Sequence, residues 1–402
     1  MEAIRLAQLK HNDKYGAVNT AAFGRAQAEQ VRRFHRSFPE YSVTPLVALT
    51  NLAKSLGVRG IYVKDESKRF GLNAFKVLGG SYAIGVEVAK KLALPLEQLT
   101  YAQLTDPAVK GKLGEQTFVT ATDGNHGRGV AWTANRLGQK AVVYMPKGTA
   151  LERLQNIQKL GAEASITDVN YDDAVRMAQA YAEKHGGMVI QDTSWEGYEE
   201  VPLHIMQGYT TMGAELLEQL DELQVRPTHV FLQAGVGAMA GAMTGFLADY
   251  YKEERPLITI VEPLNADCIY RTAAVNDGRL HNVGGDLQSM MAGLCCGEPC
   301  SIGWQQLAAY ADNFVAMPDE VAALGMRVLG NPLAGDAPIV SGESGAAGLG
   351  LAVAALREQE LAWLQEALQL DTDSVIICIS TEGATDVANY RKVMWEGAYS
   401  WK

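Results

Sequence analysis

Lys76 stands in the stretch Asn73-Ala-Phe-Lys-Val-Leu-Gly-Gly80, after Gly71 and just before a run from Ser81 to Lys91 with apolar residues at helical spacing. Phe75 and Val77 flank the amine at this loop-to-helix junction and take part of it out of water. Burial lowers an amine's pKa and makes it a usable nucleophile, which a Schiff-base lysine has to be. A lysine at a helix start is more often simply solvated. The chemistry therefore rests on what accompanies it.

Two further motifs do. Thr120-Ala-Thr-Asp-Gly-Asn-His-Gly127 lies between a strand pattern and a helix pattern. Gly124 and Gly127 let the backbone approach a ligand closely. Asn125 can donate a hydrogen bond to a phenolate or carboxylate, and N–H groups at the helix start favour an anion. The plain alternative is a turn with Asp123 as a helix cap. Gln233-Ala-Gly-Val-Gly-Ala-Met-Ala-Gly241 follows an apolar strand and opens a helix, a place where backbone N–H groups cradle a phosphate. It also fits a dinucleotide loop, and Glu262 after the next strand could serve the ribose of an NAD-dependent oxidoreductase. That reading leaves Lys76 and the Asp-Gly-Asn-His loop without a task, as does a ligand-binding module without catalysis.

The elements that hold these motifs alternate. Strands are expected at 59–65, 117–120, 141–145, 165–169, 188–192, 229–233, 257–261 and 375–380. Helices are expected at 49–56, 81–91, 127–137, 150–160, 171–185, 205–220 and 239–251, with two more near Glu320 and Gly345. Strand and helix repeating every 20 to 30 residues or so mark βαβ units and parallel sheets. The fold class is α/β. Residues 1–40 read as a partly helical extension, and 263–318 as irregular, carrying loops and a subunit contact.

The chain of 402 residues is 48% hydrophobic and 20% charged, the balance of a globular protein with a sizeable core. Its net charge of −11 comes with no basic run, which argues against nucleic acid or an anionic membrane as partner. No stretch approaches the roughly 20 apolar residues that span a bilayer. Met1 to Arg25 has no signal-peptide core, so a cytoplasmic enzyme is expected. Cys268, Cys295, Cys296 and Cys300 cluster, but without a CxxC pair or spaced histidines, so no metal is expected. Cys378 sits in an apolar strand. A bridge from Cys268 to Cys295 or Cys296 is a minor alternative to free thiols.

Together, the Asn-Ala-Phe-Lys lysine, a Gly-Asn-His loop about 50 residues on and a glycine loop about 110 further resemble the fold-type II pyridoxal-phosphate enzymes. These include serine and threonine dehydratases, cysteine synthase and the tryptophan synthase β chain. The resemblance covers roughly residues 41–386. It implies two open, twisted, mostly parallel sheet domains with helices on both faces. Residues 1–89 and 209–402 would form the large domain, and 90–208 the small one. It implies pyridoxal 5'-phosphate as cofactor, an amino acid as substrate and a homodimer. Lys76 would bind the cofactor covalently, Asn125 would face its 3'-oxygen, and Gly235, Val236, Gly237, Ala238 and Met239 would hold its phosphate. Ser380, or its neighbour Thr381, would face the ring nitrogen, and Glu343-Ser-Gly-Ala resembles the family segment before that strand.

Two departures narrow the expectation. Dehydratases usually carry Ser or Ala before Gly-Asn-His, where this chain has Asp123, and their lysine motif commonly reads Ser-Phe-Lys followed by an Arg. Asp192, in Gln191-Asp-Thr-Ser-Trp-Glu-Gly-Tyr198, adds a second acid. These local sequences are similar to the branch that eliminates ammonia from 2,3-diaminopropionate of either hand. Its substrate carries a β-ammonium, which needs a carboxylate partner once water is excluded. On this reading Lys76 takes the α-proton of the L form and Asp123 that of the D form, while Asp192 orients the β-ammonium or supports Asp123. A serine/threonine dehydratase-like lyase is the alternative, and an NAD-dependent oxidoreductase the distant one.

Overall fold

Short runs rich in Val, Ile and Ala, bounded by glycine or polar residues, become the strands of two sheets. The computed structural model describes residues 4–9, 18–122 and 124–401. Its strands are β1 (Arg5–Gln8), β2 (Leu46–Ala48), β3 (Gly60–Asp65), β4 (Thr117–Ala121), β5 (Lys140–Met145), β6 (Glu163–Ile166), β7 (Met188–Val189), β8 (His229–Gln233), β9 (Leu257–Pro263), β10 (Asn313–Met317) and β11 (Val375–Ser380). The larger sheet has seven strands in the order β1-β10-β9-β8-β11-β3-β2, and the smaller has four in the order β6-β5-β4-β7.

In the larger sheet β10, β9, β8, β11 and β3 run parallel, while β1 and β2 close the edges antiparallel. The smaller sheet is parallel throughout. Every residue of β8, β10 and β11 is buried, as strands covered on both faces require. In parallel sheets the loops after the strands collect on one edge, where ligands of α/β proteins bind. The loops after β3, β8 and β11 carry Lys76, the glycine loop and Thr381. Those after β4 and β7 carry Asn125 and Asp192.

Helices Val77–Lys91 and Glu200–Glu222 pack on each other, and the first also packs on helix Asn125–Arg136. The helix Glu200–Glu222 runs across the boundary expected between 208 and 209. The stretch 263–318 is more regular than expected: it holds helices Cys268–Val275 and Ser301–Tyr310 and strand β10, second from the edge of the larger sheet. Strand β7 ends early, because the side chain of Gln191 takes over its ladder. Gln191 accepts from the N–H of Ala121 at 2.8 Å and donates to the carbonyl of Ala121 at 3.0 Å. Among the described residues no helix is long and apolar enough to cross a membrane.

Candidate active site

Lys76 is fixed by its backbone before its side chain does anything. The N–H of Phe75 donates to the carbonyl of Thr381 at 3.1 Å, and that of Gly383 to the carbonyl of Asn73 at 3.0 Å. The lysine loop is thereby stitched to the chain leaving β11. On its other side helix Asn125–Arg136 comes so close at Gly129 that a Cβ there would lie 2.8 Å from Cα of Val77. The Phe75 ring packs at 4.8 Å, centroid to centroid, against the ring of Tyr209, tilted by 57°.

The amine enters a cavity of about 720 Å³. Its side chain is 19% exposed and forms an ion pair with Asp192. Asp192 also accepts from the Tyr171 hydroxyl at 3.1 Å and from the Gln191 amide at 3.3 Å. Burial pushes this carboxyl up, but the charges of His126 and Lys76 and the bond from Tyr171 outweigh it and hold it at about 2. Nε2 of His126 donates to the carbonyl of Ile190 at 2.7 Å, which turns Nδ1 towards Asp192 at 3.9 Å. The carboxylate is thus charged throughout the neutral range and cannot itself donate a proton there.

All five residues of the glycine loop, Gly235 to Met239, line the cavity. Gly237 has φ +88°, the left-handed conformation that favours glycine, and caps helix Ala238–Tyr251. The first N–H groups of that helix have no partner within it and make an anion site. Asn125 lines the cavity and donates to Glu382, whose carboxylate also accepts from the N–H of Ser344 at 3.2 Å and Oγ1 of Thr385 at 3.1 Å.

Ser380 and Thr381, the two hydroxyls expected near the ring nitrogen, are placed differently. Ser380 is fully buried and donates to Oγ of Ser341 at 2.8 Å, outside the cavity wall, whereas Thr381 lines that wall. Glu343 lies behind the wall; burial, then the nearby Glu382, push it up to about 7. Asp123 lies outside the described residues; Thr122 and Asn125, on either side of it in sequence, line the cavity.

Two minor alternatives fall away. The cysteine bridge is not formed, and all five cysteines are free as expected, Cys268 donating to the carbonyl of Gly235 at 3.7 Å and Cys295 to that of Met291 at 3.6 Å. Nor is Glu262 free to hold a ribose. It is buried and accepts from the N–H groups of Ile269 and Tyr270, at 2.9 and 2.6 Å, at the start of helix Cys268–Val275. The dinucleotide reading loses its acid.

Sequence reasoning missed Tyr171, Gln191, Gln233 and Glu382. Gln191 is adjacent to Asp192, and Glu382 to Thr381, so proximity to a motif was the available signal. Tyr171 and Gln233 gave none. The described wall carries five carboxylates (Asp192, Asp286, Asp319, Glu382, Asp386) against Lys76, Lys147 and Arg153. A phosphate cradle, a lysine amine, an amide donor and a cavity-facing hydroxyl form a donor set that fits pyridoxal phosphate.

The chain belongs to the pyridoxal-phosphate dependent enzymes, whose family model matches residues 38–381. Within that family it is 52% identical, over 97% of its length and 96% of the relative's, to the diaminopropionate ammonia-lyase of Escherichia coli strain K12. Its fold superposes on the crystal structure of the holo diaminopropionate ammonia lyase from Escherichia coli with a TM-score of 0.91 and 50% identity, covering 99% of this chain and 98% of that one. The complex of the Escherichia coli enzyme with D-serine matches equally well, with a TM-score of 0.91, 50% identity and the same coverage.

Proposed function

We propose that this chain is a pyridoxal-phosphate-dependent carbon–nitrogen lyase that removes ammonia from D- and L-2,3-diaminopropionate, giving pyruvate and two ammonia. The observation that carries the reading is the buried Asp192 carboxylate, held ionised beside the amine of Lys76 in a cavity with an acidic wall. A dehydratase acting on a neutral hydroxyl needs no such charge. A substrate with two ammonium groups does, because an unpaired charge in a dry site costs several kcal/mol.

When bound, the cofactor supplies an electron sink for the charge left on the α-carbon. Lys76 would hold it covalently, and its amine would take the α-proton of the L form. Asp123 takes that of the D form from the opposite face. Asp192 exchanges the released lysine for the substrate's β-ammonium, orients it and keeps it protonated as a leaving group. The C–N electron pair departs with that nitrogen as ammonia, and hydrolysis of what remains yields pyruvate and the second ammonia. The N–H groups of Gly235 to Met239 hold the phosphate and Asn125 the ring oxygen. Thr381, a neutral hydroxyl, would face the ring nitrogen without protonating it, which would favour elimination over transamination. The same proposal includes a homodimer, in the cytoplasm, with no nucleic acid or membrane partner.

The test is release of ammonia and pyruvate from D- and L-diaminopropionate, with D- and L-serine alongside. Turnover of both diamino enantiomers with serine slow supports the reading. Turnover of L-serine or L-threonine alone leaves the cofactor chemistry and overturns the substrate.

A further inference from the structure

Gln233 ends β8, one residue before the glycine loop, and its side chain is buried. Its amide nitrogen donates twice, to the carbonyl of Ile379 and to Oγ1 of Thr381, each at 2.9 Å. The first bond settles the sense of the second. A backbone carbonyl only accepts, so the atom facing it is the NH2, and both of its hydrogens are then spent. Oγ1 of Thr381 is therefore an acceptor towards Gln233. A hydroxyl has one hydrogen, and this one has to turn elsewhere, from a side chain that lines the cavity. Oε1 of Gln233 is buried with no hydrogen-bond partner among the described residues, a cost the fold carries while the NH2 stays aimed at Thr381.

We infer that Gln233 is a positioning residue: by taking one lone pair of the Thr381 hydroxyl it leaves that group's hydrogen to the cavity, and so favours a ring whose nitrogen carries no proton. A bare aromatic nitrogen then receives that hydrogen, whereas one bearing a proton of its own has only the single lone pair that Gln233 leaves on the hydroxyl. The inference rests on the pyridoxal reading of the site, and its test is read by binding, not by turnover.

The protein, freed of cofactor, is titrated by equilibrium dialysis with pyridoxal phosphate and with the analogue in which C–H replaces the ring nitrogen. Wild type is expected to prefer the nitrogen ring by about tenfold, the worth of one well-made hydrogen bond. Thr381→Val and Gln233→Met are each expected to bring that ratio to within about twofold, and the double variant to change it no further. Gln233→Glu keeps the shape should Gln233→Met fail to fold. Protonated, it gives its one hydrogen to Ile379 and accepts from Thr381, so it too loses the preference. If the Gln233 variants weaken both ligands equally and keep the wild-type ratio, Gln233 only packs and the inference is overturned. If Thr381→Val keeps the ratio, Thr381 is not the nitrogen's partner and the inference fails with the cofactor intact. If wild type binds neither ligand, it is the pyridoxal reading that fails.

Discussion

Lys76 and Asp192 stand 116 residues apart in sequence, and their side chains form an ion pair inside the cavity. The amine comes from the loop after a strand of the larger sheet, the carboxylate from the chain leaving the smaller one. Neither sheet alone builds the site. The pair is also strained for solvent, since Asp192 is buried and stays charged only because Lys76, His126 and Tyr171 surround it.

Asp192→Asn keeps the shape and removes the charge. The ammonia-forming activity is expected to fall roughly 100-fold or more, read as kcat on diaminopropionate. The acid limb of stability gives a second readout. The folded pKa of about 2 lies below the usual carboxylate value near 4. The group's stabilisation is therefore present above about pH 4 and lost as pH falls towards 2. The wild-type melting temperature should drop across that window, and the variant's should drop less. Parallel acid limbs would mean that the pair contributes nothing to folding.

Asp123→Asn addresses the two-face assignment. The D-enantiomer rate is expected to fall by about 100-fold or more, with the L rate changed far less, because Lys76 serves the L form unaided. Initial rates on the separate enantiomers decide it. Equal loss on both would remove Asp123 from the role of a base for one hand.

What the sequence made legible follows from range. The strands and helices of the βαβ units show in local periodicity, and the helix Tyr171–His185 falls where its pattern puts it. Strand β10 does not: Asn313–Met317 is five residues long, and its place between β1 and β9 depends on pairing across the sheet, a long-range fact. Helices Tyr101–Thr105 and Pro107–Leu113 hid in a polar segment, although Thr100 and Gln103 form a capping box there and Asp106 caps the second. Lys76, Asn125 and the glycine loop could be marked in the sequence because loops carry contiguous motifs, and all of them line one cavity. The partners of Asp192 come from residues 76, 126 and 171, and whether Ser380 or Thr381 faces the cavity depends on which way each side chain leaves the strand end. No local pattern encodes either.

The two halves of the site also meet at a titratable contact. Asp172, beside Tyr171, accepts from the N–H of Gly297, and its neighbour Arg176 pairs with Glu298 at 2.5 Å. Burial first, then Glu298 and Asp173, push Asp172 up to about 6 against the pull of Arg176 and the Gly297 N–H. A folded pKa above the unfolded one means that this contact is at its best below about pH 4 and weakens as pH rises through 6. Asp172→Asn removes the charge that has to be buried. It is expected to raise the melting temperature by roughly 2 °C at pH 8 and to leave it unchanged at pH 4. A gain of the same size at both values would assign the effect to something other than ionisation.

Gly129 tests how tightly the two walls are held together. As a helix residue it should gain up to about 1 kcal/mol when changed to alanine. Its Cβ would, however, lie 2.8 Å from Cα and 3.0 Å from N of Val77, backbone atoms that cannot rotate away. Overpacking of that kind costs about 1–3 kcal/mol, so the clash outweighs the propensity. Gly129→Ala is expected to lower stability in urea and to loosen pyridoxal phosphate, because the helix that moves carries Asn125 and the loop it pushes carries Lys76. Gly111→Ala is the matched control: it lies in helix Pro107–Leu113, and nothing comes within 4 Å of its Cβ. It should gain stability and leave cofactor retention unchanged. If both variants gain, the close approach at Gly129 does not hold the lysine loop in place.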